Sequence, residues 1–246
     1  HPRRFPLERL HKIRDAITAR EGAREWEALY QGQPVPEGGD RIKREWLQQR
    51  YGCPPEEIAQ QADEVWATAD AAKKNKADSD YHAIQVWART GTKRHLLDRV
   101  AAKMDYPTFE RTLDGVLERW AAWLDGVLIE DTANGTTYMQ VRGSSYVGVA
   151  LVPFHPTSDT PGKDKSKGAR AVYLERAAES GAIVLPEQHL VSFVVEDVIT
   201  WWCAFPLGLH DDDVDAASQL LMRWTIEDRP TDAADPFEAF SAAFGM

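Results

Sequence analysis

The 246 residues carry 29 Lys and Arg against 39 Asp and Glu, a net charge of -10, with 43% apolar residues and nine Trp. This suits one large α/β domain, or one domain with an appendage, and the acid excess argues against a sequence-independent nucleic-acid binder, which normally shows a basic balance. No apolar stretch approaches the ~18 residues needed to span a membrane, Cys53 and Cys203 suit reduced thiols better than a disulfide framework, and no Cys/His spacing reads as zinc.

The chain begins with His1 rather than Met, and no apolar segment of a signal peptide follows. The expectation is a piece of something longer. Leu7, Leu10, Ile13, Ala16 and Ile17 place residues 1–30 in a helix, and residues 33–39 form a loop rich in Pro and Gly. Short helices are expected over 42–51 and 54–61. A buried strand follows at 65–69, then a hairpin of strands at 81–89 and 94–99 around Gly91-Thr92. Pro107 opens a helix as a first-turn proline, with Phe109, Leu113, Val116, Leu117 and Trp120 on one face. The fourth strand is 126–129. Asn134-Gly135 reads as a turn with a short helix behind it, and the fifth strand is 147–153. Residues 157–167, rich in Gly, Pro and Lys, read as a mobile loop. Then come a helix over 169–180, a short extended piece at 181–186, a Trp-bearing helix over 191–204, and a further helix from 213. The tail beyond Asp228 is rich in Pro, Asp and Ala, with a last weak helix at 236–244.

Three of the apolar runs end on acid. Asp70 closes the run from Val65, Glu130-Asp131 closes the run from Gly126, and Asp211-Asp212-Asp213 follows Ala204 to His210. Carboxylates at strand ends gather on one edge of a sheet, where ligands of open α/β sheets bind. Carboxylates forced together repel unless a cation joins them, and Mg²⁺ and Mn²⁺ prefer oxygen ligands. The pattern points to metal-dependent phosphoryl transfer, as in a nuclease. Lys163, Lys165, Lys167 and Arg170 form one basic patch, open to DNA phosphates or simply to solvent, and Lys73, Lys74 and Lys76 form another. Each acid also has a plainer reading: a lone Asp after a strand is often a turn or cap residue, and acids at a helix start complement its dipole. The site reading rests on all three together.

The order of three antiparallel strands, a helix, a strand, a helix, a strand and then helices matches the ribonuclease-H-like arrangement. The acids fall where that fold carries its catalytic carboxylates. Within it, the sequence resembles the C-terminal nuclease domain of the large terminase subunit of tailed bacteriophages, over most of residues 25–222. The segment from Trp26 to Pro34 with Gly38-Gly39 resembles the stretch leading out of that family's ATPase domain. Thr68-Ala69-Asp70-Ala71-Ala72 with Ser79-Asp80-Tyr81 resembles its first strand and hairpin, and Leu96-Leu97-Asp98 the end of its third strand. Ile129-Glu130-Asp131-Thr132-Ala133-Asn134-Gly135 resembles its acid-plus-Asn-Gly segment, and Lys167-Gly168-Ala169-Arg170-Ala171 its basic turn. The stretch from Phe205-Pro206 through His210-Asp211-Asp212 to Val214-Asp215-Ala216 resembles its most specific signature. Trp201-Trp202 departs from the Glu-Leu that many members carry before Phe-Pro.

The resemblance implies an α/β fold with a ribonuclease-H-like mixed sheet flanked by helices. It divides the chain into a helical extension or linker from a missing ATPase domain at 1–62 and the nuclease domain at 63–246. No G-x-x-x-x-G-K-[ST] motif occurs, so the motor itself is not expected here. The implied activity is a metal-dependent endonuclease cutting double-stranded DNA during viral genome packaging, with two Mg²⁺ or Mn²⁺ ions. Asp70, Glu130 and Asp212 match the catalytic acids, and Asp211 is an additional metal ligand. Two metals about 3.5–4 Å apart can activate water and neutralise the leaving oxygen; Asp70 is the natural bridge, with Glu130 and Asp212 flanking it. Asp213 holds a variable position, Asp131 suits a supporting or capping role, and His210 an ordering role. Implied partners are double-stranded DNA, the ATPase domain, the portal and the small terminase subunit, with no membrane, in the cytoplasm of an infected bacterial host. Two alternatives keep part of this picture: a junction or structure-specific nuclease of the same fold, and a non-catalytic module that grips DNA or docks to the portal.

Overall fold

The computed structural model describes residues 41–71, 81–208 and 211–227. The helix expected over 1–30, the loop at 33–39, the lysines Lys73, Lys74 and Lys76, His210 and the tail helix at 236–244 lie outside the described residues. The described strands are β1 (Arg50–Tyr51), β2 (Glu64–Asp70), β3 (Tyr81–Thr90), β4 (Lys93–Lys103), β5 (Gly126–Glu130), β6 (Ser145–Tyr146), β7 (Val149–Phe154) and β8 (Ile183–Pro186). The helices are α1 (Pro55–Gln61), α2 (Tyr106–Trp120), α3 (Ala133–Arg142), α4 (Lys167–Glu179), α5 (Val195–Ala204) and α6 (Asp212–Glu227). The strands make one mixed sheet in the order β1-β8-β4-β3-β2-β5-β7-β6. β2, β3 and β4 are antiparallel neighbours, whereas β5 runs parallel to β2 and β7 parallel to β5.

The strict side-chain alternation of a strand divides β2 between two cores. Val65, Ala67 and Ala69 pack with Phe109, Leu113, Leu117 and Tyr138 on the face covered by α1, α2 and α3. Trp66 packs on the opposite face with Leu174, Trp202, Leu220 and Trp224 from α4, α5 and α6. A sheet covered on both sides is buried throughout, so β2 and β5 read as nearly continuous apolar runs rather than alternating ones. Asp70 ends β2, and alternation puts it on the α4/α6 face, in line with Trp66 and Thr68.

β4 is interrupted by a register shift: Val86 pairs with Asp98, yet Trp87 pairs with Leu96. The extra residue of such a bulge breaks the alternation. Leu97 joins the α2-side core, and Asp98, next in sequence, also faces α2, accepting hydrogen bonds from Arg119 Nη1 (2.7 Å) and Trp120 Nε1 (2.9 Å). Asp98 is thus a clasp between sheet and helix.

Several expectations are refined. The helix expected over 42–51 is one 3₁₀ turn (Arg44–Leu47) followed by β1, because Arg50 and Tyr51 pair with Leu185 and Pro186 and the Tyr51 hydroxyl donates to Leu96 O (2.8 Å). The extended piece at 181–186 is accordingly a full member of the sheet, bridging β1 and β4. Asn134-Gly135 is no turn: both lie in the first turn of α3. The loop over 157–167 is laced by hydrogen bonds. Thr160 is buried and donates to Pro156 O, and Lys165 Nζ donates to Thr160 O. The Trp-bearing helix starts late, at Val195, because Gln188 caps it: its Oε1 accepts from Val195 N and its Nε2 donates to Phe193 O.

Candidate active site

The site forms where the carboxyl ends of β2 and β5 meet the start of α6. Ala69 pairs with Ile129 in parallel register, so Asp70 and Glu130 are the next residues of adjacent strands, and their carboxyls stand close enough to shift each other's proton affinity. Two devices fix Glu130. Asp131 N donates to Phe154 O (2.7 Å), holding the strand end against β7. Gly135 brings the α3 backbone so close that a Cβ there would stand 2.1 Å from Glu130 O. The Asn-Gly sequence therefore answers a close approach of two backbone segments. Thr132 Oγ1 donates to Ala71 O (2.6 Å), tying the two acidic strand ends together.

α6 is docked on β2 by buried polar pegs. Thr68 Oγ1 donates to Ala216 O (3.0 Å) and accepts from Gln219 Nε2, and Gln219 Nε2 also reaches Ala69 O (3.3 Å). Alanines at 216 and 217 allow the helix to lie close to the strand. This docking sets Asp212 and Asp215, three residues apart and thus on one helix face, beside Asp70 and Glu130. Asp211 is at the rim. Asp70 and Glu130 are 6% and 8% exposed and Asp215 is 2% exposed.

Electrostatically, these acids are held against their preference. Burial, then the neighbouring Glu130, Asp215 and Asp212, raises the proton affinity of Asp70 well above the carboxylate range. Burial and then Asp215 raise that of Glu130 as well, against the opposing pull of Arg170 and Lys167. Burial and Asp211 push Asp212 up to about 6, and burial raises Asp215 despite Lys167 and Arg170.

Two cations stand among these acids. Lys167, the first residue of α4, places Nζ 2.8 Å from Asp211 Oδ2 and 2.5 Å from Asp215 Oδ2. Burial would lower its proton affinity, but the Asp215 and Asp211 carboxylates outweigh burial and raise it. Arg170, one turn on and almost fully buried, places Nη2 3.2 Å from Asp215 Oδ1. Of the four basic residues of the sequence patch, Lys167 and Arg170 thus join the acid group, Lys165 is turned onto its own loop, and Lys163 is exposed. Asp131 faces His155 Nδ1 at 2.9 Å and accepts from Thr136 Oγ1.

Asp213 looks the other way. Its Oδ1 accepts from Gln85 Nε2 (2.9 Å) and Arg99 Nε (2.8 Å), and its Oδ2 from Trp202 Nε1 (2.8 Å). Trp202, at the departure from the usual Glu-Leu, is thereby a buried partner of this acid.

Asp215 is the residue that sequence reasoning missed as a site member. Its signal was present: Asp212 and Asp215 are spaced to share a helix face. Among the described residues, no group of three or more His, Cys, Asp or Glu side chains stands ready-made to ligate a metal. The donor chemistry nevertheless fits one. Five carboxylates, Asp70, Glu130, Asp211, Asp212 and Asp215, face two cations, and four of the five show raised proton affinity. A hard divalent cation relieves that surplus with oxygen ligands.

No curated protein matches the chain by sequence. Among solved structures, the chain is similar to the large terminase of a thermophilic bacteriophage (11% identity, TM-score 0.49, covering 74% of this chain and 43% of that one). It is also similar to a human cytomegalovirus terminase nuclease domain, Mn soaked and inhibitor bound (14%, TM-score 0.48, 76% and 95%). A third is the large terminase nuclease of the thermophilic phage G20c with bound zinc (13%, TM-score 0.44, 78% and 97%). The chain thus spans less than half the length of the first of these, the large terminase. The family model of the Terminase RNaseH-like domain matches residues 67–223, a stretch that runs from the middle of β2 into α6 and includes all five acids: the chain belongs to the Terminase RNaseH-like domain family.

Proposed function

We propose that this chain is a metal-dependent endonuclease that cuts double-stranded DNA during viral genome packaging. The observation that carries the reading is the surplus of buried carboxylates where β2, β5 and α6 converge, in a domain of the terminase family. A protein does not hold this much uncompensated negative charge for stability, since each unpaired buried charge costs free energy. Clusters of acids with strongly perturbed protonation mark functional sites.

Asp70, Glu130 and Asp212 are the residues that hold Mg²⁺ or Mn²⁺, with Asp211 completing the set from the rim. Asp215 belongs with them as the acid that Arg170 keeps in place. Bound there, the ions supply an activated water and neutralise the departing oxygen of the phosphodiester. The protein's own work is positional. The Thr68–Gln219 pegs fix the distance from α6 to β2, and Gly135 fixes Glu130. The ion pair of Arg170 stops Asp215 from swinging away. Lys163 remains the exposed candidate for contact with a DNA phosphate.

The partners proposed with this reading are duplex DNA as substrate, an ATPase domain joined through residues 1–62, and the portal and small terminase subunit, in the cytoplasm of an infected bacterium. Among the described residues no helix is long and apolar enough to cross a membrane. The test is conversion of supercoiled plasmid with Mn²⁺, Mg²⁺ or EDTA, beside Asp70→Asn. Nicking and linearisation that need metal and disappear in the variant are expected. Equal cutting by Asp70→Asn would remove Asp70 from the site.

A further inference from the structure

Lys167 is placed against the ordinary logic of a helix. It is the first residue of α4, where the helix dipole favours anions and disfavours an ammonium, and the local cap is supplied without it by Ser166 Oγ, which accepts from Ala169 N (3.2 Å). What holds the ammonium there is the acid group, through Asp211 and Asp215. Its companion Arg170 differs in kind. That side chain is 5% exposed, and besides Asp215 its guanidinium also donates to Lys165 O (3.2 Å). The Lys167 side chain is 48% exposed, on a flexible four-carbon stem that is free to swing into solvent.

We infer that Lys167 is a resident cation which a divalent ion displaces from the acid group, so that Lys167 sets how tightly the site binds metal. The inference rests on the metal-dependent reading above. Both cations draw on the same carboxylates, and Asp211 cannot give full charge to an ion while it is paired with an ammonium at 2.8 Å. Arg170 stays on Asp215 throughout and holds the inner acid in place. Lys167 is the exchangeable one. Without metal it lowers the repulsion that the acids would otherwise feel; with metal bound, two like charges would crowd each other, and the ammonium leaves for solvent.

The test is calorimetric titration of the protein with Mn²⁺ alone, comparing wild type, Lys167→Met and Lys93→Met. Lys93, at the β3–β4 turn on the opposite end of the sheet, is bound to Gln49 and Gly181 O and controls for net charge. Lys167→Met is expected to bind Mn²⁺ about tenfold more tightly, and Lys93→Met to change the affinity less than about twofold. Equal or weaker binding by Lys167→Met, beside a wild type that binds, would overturn this inference and leave the nuclease reading standing. A wild type that binds no Mn²⁺ would overturn the metal-dependent reading itself. Reductive methylation of the unmutated protein, read at Lys167 by mass spectrometry, needs no variant to fold. Modification should be slow in EDTA and faster with Mn²⁺, whereas an unchanged rate under saturating Mn²⁺ would refute the displacement.

Discussion

Asp212 and Asp213 are adjacent in sequence, both acidic and both on the first turn of α6, yet they meet opposite environments. Asp213 is 1% exposed, and its two oxygens accept from Gln85, Arg99 and Trp202. Every demand of a buried carboxylate is met there. Asp212 turns toward Asp70, Asp211 and Asp215, where negative charge accumulates faster than Lys167 and Arg170 offset it. A buried acid with a complete partner set is part of the scaffold. A group of acids that lacks one is poised for a ligand. The contrast separates the middle of the Asp-Asp-Asp run, which joins the acid group, from its last member, which serves the fold.

That contrast can be broken at either end. Asp213→Ala should have the largest effect on stability, about 3–5 kcal/mol, because it strands the Arg99 guanidinium in the interior; urea denaturation measures it. A loss below about 1 kcal/mol would show that Asp213 is no anchor. Gly135→Ala should cost about 1–3 kcal/mol by forcing α3 away from the Glu130 carbonyl, and should weaken Mn²⁺ binding, since Glu130 moves with its backbone. Asp70→Asn goes the other way. Removing a carboxyl from the crowded group should raise the melting temperature in EDTA while abolishing cutting, and a lower melting temperature would mean that Asp70 is better paired than its neighbours suggest.

Much of this was written in the sequence, for identifiable reasons. β2 and β5 are buried on both faces, so their apolar runs are unbroken and end abruptly on acid, which makes both strands and both catalytic candidates readable. The helix α2 announces itself by Pro107 and a regular apolar face. Other features depend on distant partners. Tyr51 is a strand residue only because β8 pairs beside it. Asn134-Gly135 looks like a turn, since only the Glu130 carbonyl above it gives the glycine its reason. Leu97 and Asp98 share a face because of a bulge that no periodicity announces. Lys167 and Arg170 read as a surface patch; only the fold brings Asp215 beneath them.

The smallest expected effect tests the surplus charge itself. The Asp212 carboxyl has a folded value of about 6 against an ordinary 3.8, so between those values the folded protein holds more protons than the unfolded chain. Stability from this group therefore rises as pH falls through about 6, and the penalty for its charge is fully present above that. Asp212→Asn abolishes the penalty at every pH. The melting temperature of Asp212→Asn in EDTA should exceed that of wild type by a few degrees near pH 7.5, roughly 2–4 °C for each kcal/mol, and the difference should shrink toward zero near pH 4. Taking the difference matters. Burial lowers the proton affinity of His95, which works against stability in acid below its ordinary 6.5, and the lowered carboxyl of Asp105, held by Thr108, acts below 3.8. Both are common to the two proteins and cancel. A difference that stays constant with pH would mean that Asp212 is not strained by its charge, and saturating Mn²⁺ should reverse its sign, because only the wild-type carboxylate gains from the ion.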